Sequence, residues 1–150
     1  MLQDVLFRFC SADDCYADAT SVQSENILDW GEGREDKGMG AGVPLVVACE
    51  VTTAFAGGTS AQFKFVTDSD ETITNGTVLV ETPAIAVATL AKGYKFTIPL
   101  PQRIDEDRYC GLVITSAGTN TAGAISAAMI PAPAPSVARL PSTQVSTSNI

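Results

Sequence analysis

The stretch from Asp107 to Met129, reading DRYCGLVITSAGTNTAGAISAAM, constrains the fold of this chain more than any other. Two β-like segments, Tyr109–Ser116 and Gly123–Ile130, flank the connection Ala117-Gly118-Thr119-Asn120-Thr121-Ala122. Tyr109, Cys110, Leu112, Val113, Ile114 and Thr115 suit a pleated, half-buried surface. Gly, Asn and Thr supply turn geometry that bulky residues resist. The spacing predicts a hairpin. Two strands alone bury too little apolar surface to be stable, so the hairpin must be central and the rest of the chain must supply sheets around it.

The remaining pattern supplies them. Leu6–Phe9 reads as a first strand, followed by an irregular acidic stretch to Ser24, and Asn26–Gly31 as a short strand ending in a turn. Glu32 to Gly42 mixes glycines with charges and reads as a mobile loop. In Leu45–Thr52 the residues Leu45, Val47, Cys49 and Val51 share one face, and in 61–67 Ala61, Phe63, Phe65 and Thr67 oppose Gln62 and Lys64. Ala54–Ser60, with Gly57-Gly58, is the turn between them, and 68–76 is a polar connection ending in Asn75-Gly76. Thr77–Glu81 and Ile85–Thr89 follow, then Tyr94–Ile98, stopped by Pro99 and Pro101. About eight or nine short strands with turns between them and no convincing helix predict an all-β chain, a two-sheet β-sandwich that is jelly-roll-like. A second layer also accounts for a hairpin so apolar on both faces.

The body is expected to be one domain over residues 1–130, since 150 residues can bury a core without staples. From Pro131 the composition changes to PAPAPSVARLPSTQVSTSNI, with a single charge at Arg139. Such a segment cannot bury enough apolar surface to fold by itself. It is either a loose terminus or an extended arm laid over a neighbouring subunit, where pre-extended proline segments lose less entropy on binding.

The net charge is −8, most of it in residues 1–40. With no basic stripe to neutralise phosphates, nucleic acid is not an expected partner. No apolar run approaches the length needed to span a bilayer, and MLQDVLFRFC carries an acid at Asp4 without a sustained apolar stretch, so neither a membrane anchor nor a signal peptide is expected. The four cysteines, Cys10, Cys15, Cys49 and Cys110, match no zinc spacing. Cys49 and Cys110 fall in strands as small core residues, whereas Cys10 and Cys15 are close enough in sequence for a disulfide to be conceivable.

The residues argue against an enzyme. Without histidine the commonest general base is absent, as is any Ser-His or Cys-His pair. Asp13-Asp14, Asp68/Asp70/Glu71 and Asp105-Glu106-Asp107 form acid clusters, but in apparent loops where solvated acids are the ordinary expectation. An EF-hand register starting at Asp68 would place Ile73 at the required glycine and Leu79 at the bidentate acid, so that motif fails. No cofactor or metal is expected. Trp30, the only tryptophan, is either an interface anchor or a core residue. What remains is a protein that works by contact.

Val43-Pro44-Leu45-Val46-Val47, Val51-Thr52-Thr53-Ala54-Phe55 and Gly58-Thr59-Ser60, then Ala84-Ile85-Ala86-Val87-Ala88-Thr89-Leu90 with Gly93-Tyr94, appear in that order. They are followed by Pro99-Leu100-Pro101, Arg108-Tyr109, Thr121-Ala122-Gly123 and Ser126-Ala127. From about Asn26 to Met129 this set resembles the Bbp16-like capsid cement proteins of tailed bacteriophages. The resemblance implies a jelly-roll-like decoration protein made in the host bacterial cytoplasm. It would sit on the outer surface of the icosahedral head, bound to a major capsid protein of the HK97-type fold and to itself as a homodimer or homotrimer. Cys10–Ser24 and the segment after Ile130 depart from it. For the contacts we expect Trp30, the cations Arg34, Arg103 and Arg139, and the prolines Pro131, Pro133 and Pro135. A carbohydrate- or receptor-binding module of a tail fibre or spike is the competing expectation, although it calls for exposed aromatics and only 7% of the chain is aromatic.

Overall fold

A computed structural model describes residues 7–11, 21–31, 44–101 and 107–132. Their strands are β1 (Arg8–Cys10), β2 (Ser21–Gln23), β3 (Leu28–Asp29), β4 (Leu45–Ala56), β5 (Ser60–Asp68), β6 (Thr77–Glu81), β7 (Ile85–Ala86), β8 (Lys95–Pro99), β9 (Tyr109–Ala117) and β10 (Ala122–Pro131). They form two antiparallel sheets. One has the order β1-β10-β4-β8; the other has β2-β9-β5-β6, with β3 also on β9 and β7 also on β5.

If β2/β3 and β6/β7 are each taken as one interrupted strand, eight strand positions remain. The first sheet then runs first-eighth-third-sixth and the second runs second-seventh-fourth-fifth. That order is a jelly roll, so the sandwich predicted from the strand pattern is present with its connectivity.

The predicted hairpin is absent. β9 pairs with β5 from Ser60↔Ala117 to Asp68↔Tyr109, in one sheet. β10 pairs with β4 from Ala122↔Ala56 to Pro131↔Leu45, in the other. The segment between β9 and β10 is therefore an arch between layers, as is the one between β4 and β5. The two arches lie side by side and are stitched by Thr59 N–H to Ala117 O (2.8 Å) and Thr121 N–H to Ala56 O (2.7 Å). The apolar character of both strands has a simple cause: each is central in its own sheet and faces the other layer.

Between the layers lie Val47, Cys49, Val51, Ile98, Ile125 and Met129 from the first sheet against Phe63, Phe65, Leu112 and Ile114 from the second. Aromatic edges cross the gap, with Phe9 on Phe65 at 5.9 Å and Phe63 on Phe96 at 4.7 Å. The inward faces predicted for Leu45–Thr52 and for 61–67 are the observed ones.

Local departures have local causes. Ser21–Gln23, predicted to be irregular, pairs with β9. Of Ile85–Thr89 only Ile85-Ala86 is strand; the chain then turns, with Leu90 N–H on Val87 O, and drives Leu90 into the core at 0% exposure. The polar connection 68–76 contains a 3-10 turn, Ile73–Asn75, whose Ile73 is fully buried with Val66 and Val113 on the outer side of the second sheet. β10 runs through Pro131, and Ala132 N–H still bonds Pro44 O at 2.7 Å. Cys10 is disulfide-bonded, while Cys49 and Cys110 are buried thiols. Cys15, the partner that the spacing offered, lies outside the described residues, as do the loop 32–42 and the segment after Ala132.

Candidate interaction surface

One corner of the second sheet gathers the functional-looking side chains. β3 lies on the start of β9 with Asp29 opposite Tyr109, and Trp30 N–H bonds Arg108 O at 2.9 Å. That register sets the Asp29 carboxylate against the Arg108 guanidinium as a fork, Nε to Oδ1 at 2.7 Å and Nη2 to Oδ2 at 2.8 Å. Asp29 Oδ1 also accepts from Gly31 N–H at 2.8 Å, which fixes the turn after the strand. Arg108 is held on its other side over the Tyr109 ring, 5.0 Å from the centroid. The pair is partly solvated, with side chains 35% and 43% exposed, so it contributes about 1 kcal/mol at most and serves mainly to orient the guanidinium.

Tyr109 stands between two clefts. A cleft of about 660 Å³ is lined by Ser69–Thr72, Arg108 and Tyr109. On its other side a cleft of about 310 Å³ lies between Gln23, Glu25, Asn26, Ile27, Asp29 and Glu71. The clefts share Glu71 and Tyr109, and Gln23 braces the Glu71 side, its amide donating to Glu71 O (3.5 Å) and accepting from Ile73 N–H (3.1 Å). Asp68 Oδ1 takes the N–H of Asp70 at 3.1 Å and the hydroxyl of Ser69 at 3.4 Å, so this acid is spent on its own loop. Glu25, Asp29, Asp70 and Glu71 thus rim the clefts against Arg108, the only cation among the described residues that line them. Such a corner can hold a cationic surface by charge. Among the described residues, no group of three or more His, Cys, Asp or Glu residues is arranged to hold a metal ion.

The expected contact residues are scattered. Trp30 is half-buried; its indole packs on the main core and its Nε1–H points to Cys110 Sγ at 2.9 Å. The core reading therefore accounts for the packed part of the ring. Pro131 is exposed at the end of β10 opposite Leu45. Arg34, Arg103, Arg139, Pro133 and Pro135 lie outside the described residues, as do Asp13, Asp14, Asp105 and Glu106. Sequence reading missed the Arg108–Asp29 fork, because the partners are 79 residues apart and no local pattern links them. It missed the role of Gln23 for the same reason.

No helix among the described residues is long and apolar enough to cross a membrane. No curated protein matches the chain. A family model does, that of Bbp16, over residues 13–129. The match begins well before Asn26, so much of the Cys10–Ser24 segment, expected to depart from the family, falls within its range. With some three quarters of its length under that model, this chain belongs to the Bbp16 family.

Proposed function

We propose that this chain is a structural protein of a tailed-phage virion that binds the outer surface of the icosahedral head and stabilises the expanded shell. Its family membership carries the reading. The fold and surface support it. A jelly roll with a closed core presents surfaces for contact, and the built corner at Arg108 and Tyr109 offers charged side chains at the surface. The surplus of carboxylates suits a basic patch on a shell of the HK97-type fold and disfavours packaged DNA.

The physical work is linkage. A ligand that binds the assembled lattice and not the free subunit stabilises the lattice by RT ln(1 + [L]/Kd), about 4 kcal/mol per site at a thousandfold excess over Kd. Repeated over a shell, modest contacts resist internal pressure. Co-sedimentation with expanded heads and with unassembled capsid protein tests this: binding to heads alone is expected, and equal affinity for both overturns it. A glycan array separates this role from that of a receptor-binding tail module, which would bind sugars and leave heads bare.

A further inference from the structure

Asn75-Gly76 ends the 3-10 turn that carries Ile73, and of the chain's four asparagines Asn75 alone precedes a glycine. That pair has a chemistry of its own. The amide nitrogen after an asparagine can attack the side-chain carbonyl, and glycine, with no Cβ and a permissive backbone, hinders the approach least. Asn75 is exposed to water. The other described asparagines are poorly placed for this reaction. Asn26 precedes the β-branched Ile27 and donates to Arg8 O at 3.1 Å, and Asn120 is buried in its arch.

We propose that Asn75 is a site of spontaneous deamidation whose rate is set by opening of the Ile73 turn. In the first step Gly76 N bonds to Asn75 Cγ, the Cγ–Nδ2 bond breaks, and ammonia leaves with the proton that Gly76 N gives up. Water then opens the resulting succinimide at one carbonyl or the other and leaves an aspartate or an isoaspartate. The folded chain opposes the first step twice. Gly76 N–H donates to Ile73 O at 3.0 Å, so the attacking nitrogen is engaged and its proton held. The Gly76 backbone is also pressed against β5: a Cβ there would collide with Thr67 O and stand 2.8 Å from Val66 Cγ1. Turning the peptide plane towards Asn75 Cγ therefore requires the turn to lift from the sheet.

Ile73 keeps the turn down. It is fully buried with Val66 and Val113, and its N–H donates to Gln23 Oε1 at 3.1 Å. The reaction therefore draws on the open population, and its rate is that of the unrestrained pair multiplied by the fraction open. The product does not refit. An isoaspartate adds one carbon to the main chain between Ile73 and Gly76, so the buried plug and the close approach of Gly76 to Thr67 cannot both be kept. Either product also adds a carboxylate beside Asp68, whose Oδ2 lies 3.0 Å from the Cβ position of Gly76, and like charges there repel. Deamidation thus loosens the Ser69–Thr72 wall of the larger cleft. This chemistry belongs to the chain itself and stands or falls separately from attachment to a head.

The test incubates the full chain in mildly alkaline buffer, folded and in guanidinium chloride, and follows conversion of amide to acid by peptide mapping, with isoaspartyl methyltransferase labelling for the isoaspartate. Modification at Asn75 ahead of the other asparagines is expected, about tenfold or more slower in the folded chain than in the unfolded one. Ile73→Ala should raise the folded rate several-fold towards the unfolded one, and Ile73→Val, which disturbs the fold less, should raise it by less. Gly58→Ala, which loosens the arches at the far end of β5, should leave it unchanged. Equal rates folded and unfolded, faster modification of another asparagine, or indifference to both Ile73 variants overturns the proposal. So does an equal gain from Gly58→Ala, or no product at Asn75 in any folded form.

Discussion

Asn120 shows how one residue can close a jelly roll. It is fully buried in the β9–β10 arch, donates from Nδ2 to Ser116 Oγ at 2.8 Å, and lays Oδ1 against Gly58 of the neighbouring arch. A Cβ on Gly58 would collide with that oxygen, and a Cβ on Gly57, at φ +90°, would lie 2.7 Å from Thr119 O. Gly58→Ala should therefore cost about 1–3 kcal/mol in urea unfolding. Adding Asn120→Ala should recover part of the loss, because it removes the atom that the new methyl meets; additive losses would mean the arches are not coupled there. Cys49 yields a second prediction. Burial pushes its thiol up to about 12 from 9.0, so folding favours the neutral form. Below pH 9 neither state ionises. Between about 9 and 12 the unfolded chain releases this proton and the folded chain keeps it, so stability falls by up to roughly 1.4 kcal/mol per pH unit. Cys49→Ala should flatten that decline, read as the difference between the two proteins' alkaline melting curves. Equal slopes would refute it.

At the scale of elements, the strands were legible because alternation is local: Phe63 and Phe65 against Gln62 and Lys64 declare a face whatever the partner strand is. Partnership is not local. A Gly-Thr-Asn connection between two apolar strands suits a hairpin and an arch equally, and what decides is the match of β9 to β5 and of β10 to β4 across the chain. β2 was hidden because three residues, Ser21-Val22-Gln23, carry too little pattern to stand out from their polar surroundings. The 3-10 turn was missed because one isoleucine in a polar loop has no period. Yet Ile73 plugs the outer side of the second sheet with Val66 and Val113, packed by Ile27 and Tyr109. Ile73→Ala should cost about 2–5 kcal/mol and loosen Asp68–Thr72, raising amide exchange there before the rest of β5. A uniform rise over the whole sandwich would mean the plug is part of the main core.

On the scale of the whole molecule, the charge was legible and its placement was not. The net −8 is carried largely by residues 1–40, yet the built acidic corner draws on Glu25 and Asp29 from one end of that count and on Asp70 and Glu71 from a distant loop. Only the jelly-roll crossing brings those loops together. If that corner meets the shell, its contribution is electrostatic, so it acts on the rate of encounter and is screened by salt. Asp70→Asn with Glu71→Gln removes two solvated charges and should leave stability within about 0.5 kcal/mol. Its effect should appear in head binding. The paired variant should associate several-fold more slowly than the parent at about 0.05 M salt, and the two should converge near 0.5 M, where screening extends over only a few ångströms. A constant difference at every salt would place the loss in direct contacts at Asp70 and Glu71. No difference at any salt would move the shell-facing side away from this corner, leaving the outward face of the β1-β10-β4-β8 sheet and the exposed edge near Val78 as the surfaces to vary next.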